Sequence, residues 1–172
     1  HQNRITGISF SGGVFTNITH DHLDYHKTFK EYINVKKSFF DKLPKTAFAL
    51  TNIDDKNGEI MLQNTQAKKT SYSLKSISNY HAKILENDFS GLLMRIKNQE
   101  IWTKLIGDFN AYNLLAVFSV SQELGEDERD VLTALSRLES ISGRFQFFKS
   151  NTGIIGIIDY AHTPDALQNV LK

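Results

Sequence analysis

Apolar and polar positions follow two different rhythms along this chain. Val14-Phe15-Thr16-Asn17-Ile18 is a short run of buried-strand type that ends in a dense polar stretch. From Thr28 to Leu43 the period lengthens. At about 100° per residue, Phe29, Tyr32, Ile33, Phe39, Phe40 and Leu43 fall on one stripe, which predicts an amphipathic helix. Thr46 to Leu50 reads as the next strand and Asp54 to Gln63 as a short helix. Between Lys69 and Ile106 the runs Thr70–Leu74, Tyr80–Leu85, Leu92–Ile96 and Ile101–Ile106 are broken by Asn87-Asp88 and Asn98-Gln99. That favours an antiparallel patch appended to a parallel sheet. Asn110 to Leu124 is apolar nearly all round and predicts a buried helix, and Glu126 to Leu138 a more amphipathic one. Phe145–Lys149 and Ile154–Ile158 read as a hairpin or successive strands around Asn151-Thr152-Gly153. The fold class that follows is α/β, a largely parallel central sheet flanked by helices with a smaller antiparallel β patch.

Composition narrows the function classes. At 172 residues the chain fits one ordinary domain with a real core. Its 20 basic and 19 acidic side chains nearly cancel, which argues against a nucleic-acid face or a membrane-seeking surface. Cysteine is absent, so a disulfide framework, thiol catalysis and a zinc–thiolate site are excluded. No apolar run approaches the roughly 20 residues of a membrane span and no signal peptide is present; a cytoplasmic, monomeric protein is the expectation. The chain opens at His1 without an initiator Met and stops inside a helix, which predicts a piece of a longer protein.

Polar residues gather where the apolar runs end. His20, His22 and His26 with Asp21 and Asp24 form the densest cluster, and imidazole with carboxylate suits a divalent metal; the bland alternative is a polar loop with capping Asp and surface His. Lys36 is odder. It falls at the centre of the apolar stripe, between Phe29/Ile33 and Phe40/Leu43, whereas Lys37 falls on the flank. A core-facing lysine must pair, snorkel past a thin edge of core or lose its proton. Asn110 and Asn113 share one face at the start of the predicted buried helix, although Asp108 or Asn110 could equally be its N-cap. Gly143-Arg144-Phe145 sets an arginine between a glycine and a strand, a place where a plain surface cation is common. In Asp159-Tyr160-Ala161-His162-Thr163-Pro164, capping accounts fully for Thr163 and Pro164 and less well for Asp159 and His162.

Taken in order, Thr16–His26, Gly107–Asn113, Ser142–Phe145 and Asp159–Leu167 resemble the central ATP-binding domain of the Mur ligases, most closely the MurE type, which are UDP-N-acetylmuramoyl-L-alanyl-D-glutamate ligases. The likeness runs from His1 to Lys172. It implies a domain division at residues 1–158, the central domain without its P-loop, and 159–172, the hinge and start of a C-terminal ligase domain. It implies His22 as a Mg²⁺ ligand. The interval from His22 to Lys36 matches the family's spacing to a lysine carbamylated by CO₂, whose carbamate is an anionic oxygen ligand suited to Mg²⁺. Asn113, supported by Asn110, is the implied adenine contact, since a side-chain amide offers both donor and acceptor. Arg144 is the implied cation on the ATP γ-phosphate, although the family's Glu two positions later is Gln146 here. Asp159 is implied at the ribose hydroxyls, His162 along the nucleotide site, and Gln2 and Arg4 at the UDP-muramoyl-dipeptide. His20 stands where many relatives carry Arg or Glu and receives no role.

ATP-dependent ligation needs its phosphates cradled by a glycine-rich loop with a lysine, and none of the 10 glycines stands before Lys-Thr or Lys-Ser. In the family the P-loop, the acidic Mg²⁺ ligand after it and the uridine-binding domain lie upstream of the position matching His1. The C-terminal domain, which binds the incoming amino acid, begins just after Asp159. The implied activity therefore belongs to a parent protein, with this stretch inactive by itself. That parent is an ATP-dependent ligase adding a diamino acid to UDP-MurNAc-L-Ala-D-Glu through an acyl phosphate, in peptidoglycan precursor synthesis. The alternatives are another Mur ligase or a folylpolyglutamate synthase-like enzyme, a metal-dependent hydrolase built on His20–His26 with His81 or His162, and a non-catalytic binding domain.

Overall fold

A computed structural model of the chain describes residue 5, residues 7–19 and residues 28–171. Its centre is a six-stranded sheet in the order β1 (Gly12–Phe15), β2 (Phe48–Asn52), β3 (Lys68–Ser73), β4 (Tyr80–Asp88), β5 (Gly91–Ile96) and β6 (Gln99–Thr103). β1 to β4 pair in parallel, and β4, β5 and β6 pair antiparallel; the antiparallel patch is present as expected but begins only at β4, so the Thr70–Leu74 run belongs to the parallel part. Helices α1 (Phe29–Asp41) and α2 (Gly58–Met61) cover one face; α3 (Asp108–Glu123) and α4 (Glu128–Ser136) cover the other. β2 shows how this three-layer order is written in sequence. Its residues are all buried, with Phe48 and Leu50 in the α3/α4 core and Ala49 in the α1/α2 core. Both faces demand apolar side chains, so no alternation appears.

The antiparallel half has only one covered face. Ala82, Leu92, Met94, Ile96 and Ile101 point into the α3/α4 core, while Lys83, Arg95, Glu100 and Trp102 are exposed. A register shift between Ile84 and Glu86 bends β4 as it leaves the parallel part. Beyond α4, β7 (Gln146–Lys149) and β8 (Ile155–Ile158) form a separate antiparallel hairpin around the predicted Asn-Thr-Gly turn. α5 (Pro164–Val170) opens as expected, with Thr163 Oγ1 accepting from the Ala166 amide and Pro164 in the first turn.

Three expectations need correction. The largest concerns α1: Lys36 is exposed, and its neighbour Lys37 is the buried lysine, 8 % exposed, with Nζ 2.6 Å from Asp41 Oδ1. Lys36 lines a cleft with Phe39 and Phe40 beside β1, the edge strand among the described residues, whereas Tyr32 one turn earlier is buried in the α1/α2 core. The Ile33–Lys37 flank lies over covered core, and an i,i+4 carboxylate neutralises the buried ammonium. The helix predicted over Asp54–Gln63 shrinks to Gly58–Met61, because Asn52 and Asp55 commit the preceding residues to side-chain-bonded turns. α3 is two-faced rather than apolar all round: Ala111, Leu114, Leu115 and Phe118 are buried, Asn113 and Val117 exposed. Neither Asp108 nor Asn110 is its N-cap, which is Gly107 at φ +94°. Glycine tolerates that backbone at no Cβ cost.

Candidate active site

Two contacts fix the direction of α3. At its end, the Glu123 carboxylate accepts from Lys68 Nζ at 2.9 Å and from Tyr80 Oη at 2.8 Å, at the starts of β3 and β4. At its beginning, Tyr112 Oη donates to Asp54 Oδ2 at 2.9 Å, just past the end of β2. α3 therefore runs against the parallel strands and delivers its first turns to their carboxyl ends, where open α/β sheets bind ligands.

On the α1 side of this edge, Val14, Phe15, Thr16, Asn17, Lys36, Phe39 and Phe40 line a cleft of about 250 Å³. Lys36 Nζ lies 5.1 Å from the centre of the Tyr32 ring, and no carboxylate among the described residues pairs with it. Two adjacent lysines thus meet opposite fates, one neutralised by Asp41 and one presented to the cleft. The predicted ligand His22 and the predicted substrate contacts Gln2 and Arg4 lie outside the described residues. Among the described residues no group of three or more His, Cys, Asp or Glu could hold a metal.

On the α3 side, Asn110 is half-buried and donates from Nδ2 to the Ile106 carbonyl at 2.7 Å, while Asn113 stands exposed 3.4 Å from it. Asn87 pins this helix start by accepting from the Gly107 amide and donating to Asp108. The hairpin is brought up by an edge-to-face contact between Phe109 and Phe145, ring centres 5.4 Å apart. Phe145 has φ +47°, an uncommon backbone for an aromatic residue, in a turn that follows Gly143 at φ +75°. Asp159 holds that turn closed, accepting from the Phe145 amide and the Ala161 amide, each at 2.7 Å. Arg144 is left exposed with its guanidinium 5.0 Å from the Tyr160 ring centre, and the same ring meets His162 edge-on. Arg144, Asp159 and His162 thus form one cluster, linked to the Asn110/Asn113 helix through Phe109 and Phe145.

Sequence reasoning missed the turn after β2. Asn52 Nδ2 donates to the Thr16 carbonyl at 3.0 Å, and Asp55 Oδ2 accepts from the Ile18 amide at 3.0 Å, so both hold the chain leaving β1. Asp54 accepts from Ser73 Oγ, the Leu74 and Lys75 amides and Tyr112 Oη. Burial pushes the Asp54 carboxyl pKa up, but the donors led by Ser73 outweigh it and hold the group below the ordinary carboxylate range. Tyr112 moves the other way: burial first, then its bond to Asp54, raise its phenol above the ordinary value. The signal was present, because Thr51-Asn52-Ile53-Asp54-Asp55 repeats the pattern of polar residues at a strand end seen in the first motif.

A mostly parallel sheet covered by helices on both faces, with polar turns, the Lys36 cleft and the Arg144 turn at its carboxyl edge, defines a domain of the open α/β class. The chain belongs to the Mur ligase middle domain family, which matches it over residues 1–121. It is 56 % identical over 171 residues to the UDP-N-acetylmuramoyl-L-alanyl-D-glutamate--2,6-diaminopimelate ligase of Phocaeicola vulgatus, covering 99 % of this chain and 35 % of that protein. Identity to the enzyme of the same name from Cytophaga hutchinsonii is 54 %, with the same coverage. A solved structure of a ligase of that name superposes with a TM-score of 0.79 at 30 % identity, over 99 % of this chain and 36 % of the other. The chain therefore spans about a third of the length of the curated relatives it matches.

Proposed function

We propose that the parent of this chain is an ATP-dependent ligase that joins 2,6-diaminopimelate to the D-Glu carboxylate of UDP-MurNAc-L-Ala-D-Glu in cytoplasmic peptidoglycan precursor synthesis. The observation that carries the reading is the meeting of the α3 amide pair with the Arg144–Asp159–His162 turn through Phe109 and Phe145, at the carboxyl edge of the sheet. The choice of 2,6-diaminopimelate over L-lysine rests on the names of relatives that are 54–56 % identical over nearly the whole chain.

The residues present suit ATP. Asn113 offers an exposed amide, with a donor and an acceptor for an adenine edge, and Asn110 backs it. Each Asp159 oxygen accepts one backbone amide and keeps a second lone pair for a ribose hydroxyl, with His162 alongside. Arg144 has no carboxylate partner among the described residues, which leaves its guanidinium for phosphate. In the reaction a D-Glu carboxylate oxygen attacks the γ-phosphorus and ADP leaves. The amine then attacks the acyl phosphate, forming the C–N bond and releasing phosphate and a proton. Arg144 stabilises charge on the transferring phosphoryl group, and the remaining residues orient the nucleotide.

Mg²⁺ would be held by His22 and by Lys36 as its carbamate; when bound it neutralises charge on the phosphate oxygens. The fit on the lysine side is the cleft itself, which leaves Lys36 Nζ open to CO₂ while Lys37 is tied to Asp41. The test is phosphate release by the full-length parent with ATP, Mg²⁺ and UDP-MurNAc-L-Ala-D-Glu. Release that requires 2,6-diaminopimelate, is absent with L-lysine and is lost in Lys36→Ala supports the proposal. No release with either amino acid refutes it.

A further inference from the structure

We propose that Asp54 and Tyr112 are positioning residues for the nucleotide, setting the rotation of α3 so that Asn113 faces the adenine. The inference rests on the ligase reading above. Tyr112 immediately precedes Asn113, and its side chain ties the first turns of α3 to the turn after β2, while Asn87 holds the residues at the very start of the helix from the end of β4. Asp54 is itself immobilised by donors from the exit of β3: Ser73 Oγ at 2.6 Å, the Leu74 amide at 2.8 Å and the Lys75 amide at 3.3 Å. A phenol bonded to so fixed an acceptor leaves the helix little freedom to roll, and a roll would swing Asn113 away from its target. Core packing of Leu115 and Phe118 holds the helix against the sheet, and the bond from Tyr112 to Asp54 adds a directional constraint on its first turns.

The same turn reaches the opposite wall of the site. Asn52 and Asp55, flanking Asp54, hold the Thr16 carbonyl and the Ile18 amide in the segment that lines the Lys36 cleft. Four consecutive residues, Asn52 to Asp55, thereby tie the adenine helix and the β1 exit to one rigid strand end.

The test uses the full-length parent and ADP binding by calorimetry, with Tyr112→Phe, Asn113→Ala and the double variant. Tyr112→Phe keeps the ring and leaves Asp54 with its other donors, so folding is preserved even if Asp54→Asn is too disruptive to study. The expected result is about a tenfold weaker Kd for Tyr112→Phe, the equivalent of one bond to a charged acceptor. The double variant should bind no more weakly than Asn113→Ala, because Tyr112 acts through that amide. Amide hydrogen exchange at Asn110–Leu114 should quicken while that of β2 and β5 does not change. Additive losses in the double variant, or an unchanged Kd in Tyr112→Phe, overturn the proposal. Failure of the wild-type parent to bind ADP at all refutes the ligase reading instead.

Discussion

Substituting Lys36 and Lys37 in turn puts the corrected helix phase to a quantitative test. The Lys37 side chain is 10 % exposed, so Lys37→Ala removes about three buried methylenes, roughly 2.4 kcal/mol at about 0.8 kcal/mol each. Asp41 loses its partner but is 31 % exposed and can be rehydrated, which holds the electrostatic loss to about 1 kcal/mol or less. The sum is about 2–3 kcal/mol. With a urea slope of about 2 kcal/mol/M for a domain of this size, the unfolding midpoint falls by about 1 M or slightly more at constant slope. Lys37→Met keeps the stem and should recover most of that shift. Lys36→Ala removes an exposed side chain and should move the midpoint by less than about 0.3 M, while abolishing phosphate release by the parent. Equal midpoint shifts for the two alanine variants, or a silent Lys37→Ala, would mean that the helix is rotated from the phase described above, and the presentation of Lys36 to the cleft would fail with it.

Other expectations concern the polar turns. Asp54 has a folded-state pKa below its unfolded value, so its contribution to stability is complete above the ordinary value of 3.8 and is lost as pH falls from there through the lower folded value. Acid titration of urea midpoints should therefore show a decline below about pH 4 that Asp54→Asn flattens; an unchanged acid limb refutes the assignment. Gly58 has no room for a side chain, since a Cβ there would sit 2.1 Å from the Asn52 carbonyl oxygen; Gly58→Ala should cost about 1–3 kcal/mol by the same urea measurement. Asp159→Asn keeps one acceptor oxygen and turns an amide NH₂ toward the Phe145 or the Ala161 amide. Amide exchange at Phe145 should quicken by an order of magnitude or so, and unchanged protection would show that Asp159 does not hold the Arg144 turn.

How far the sequence discloses the site depends on whether a residue's task is local or shared between distant segments. Strand ends, the change from parallel to antiparallel pairing and the Thr163–Pro164 helix start are local, and pattern with capping chemistry finds them. The phase of α1 is not local. A wheel centres the stripe on its apolar residues and has no knowledge of which elements the helix packs against, so it buries Lys36 and exposes Lys37. Lys37 could have been recognised from Asp41 one turn on, because a buried cation needs a partner within reach and Lys36 has no acidic residue at the matching position, which is Phe40. Asp54 and Tyr112 were the least legible, being 58 residues apart and meaningful only once α3 is laid against β2. The general consequence is that motif residues mark where a ligand would touch the chain, whereas the residues that aim them lie in unremarked turns. In this chain the proposed aiming contact runs from Tyr112 on α3 to Asp54 just past the end of β2, the strand buried on both faces.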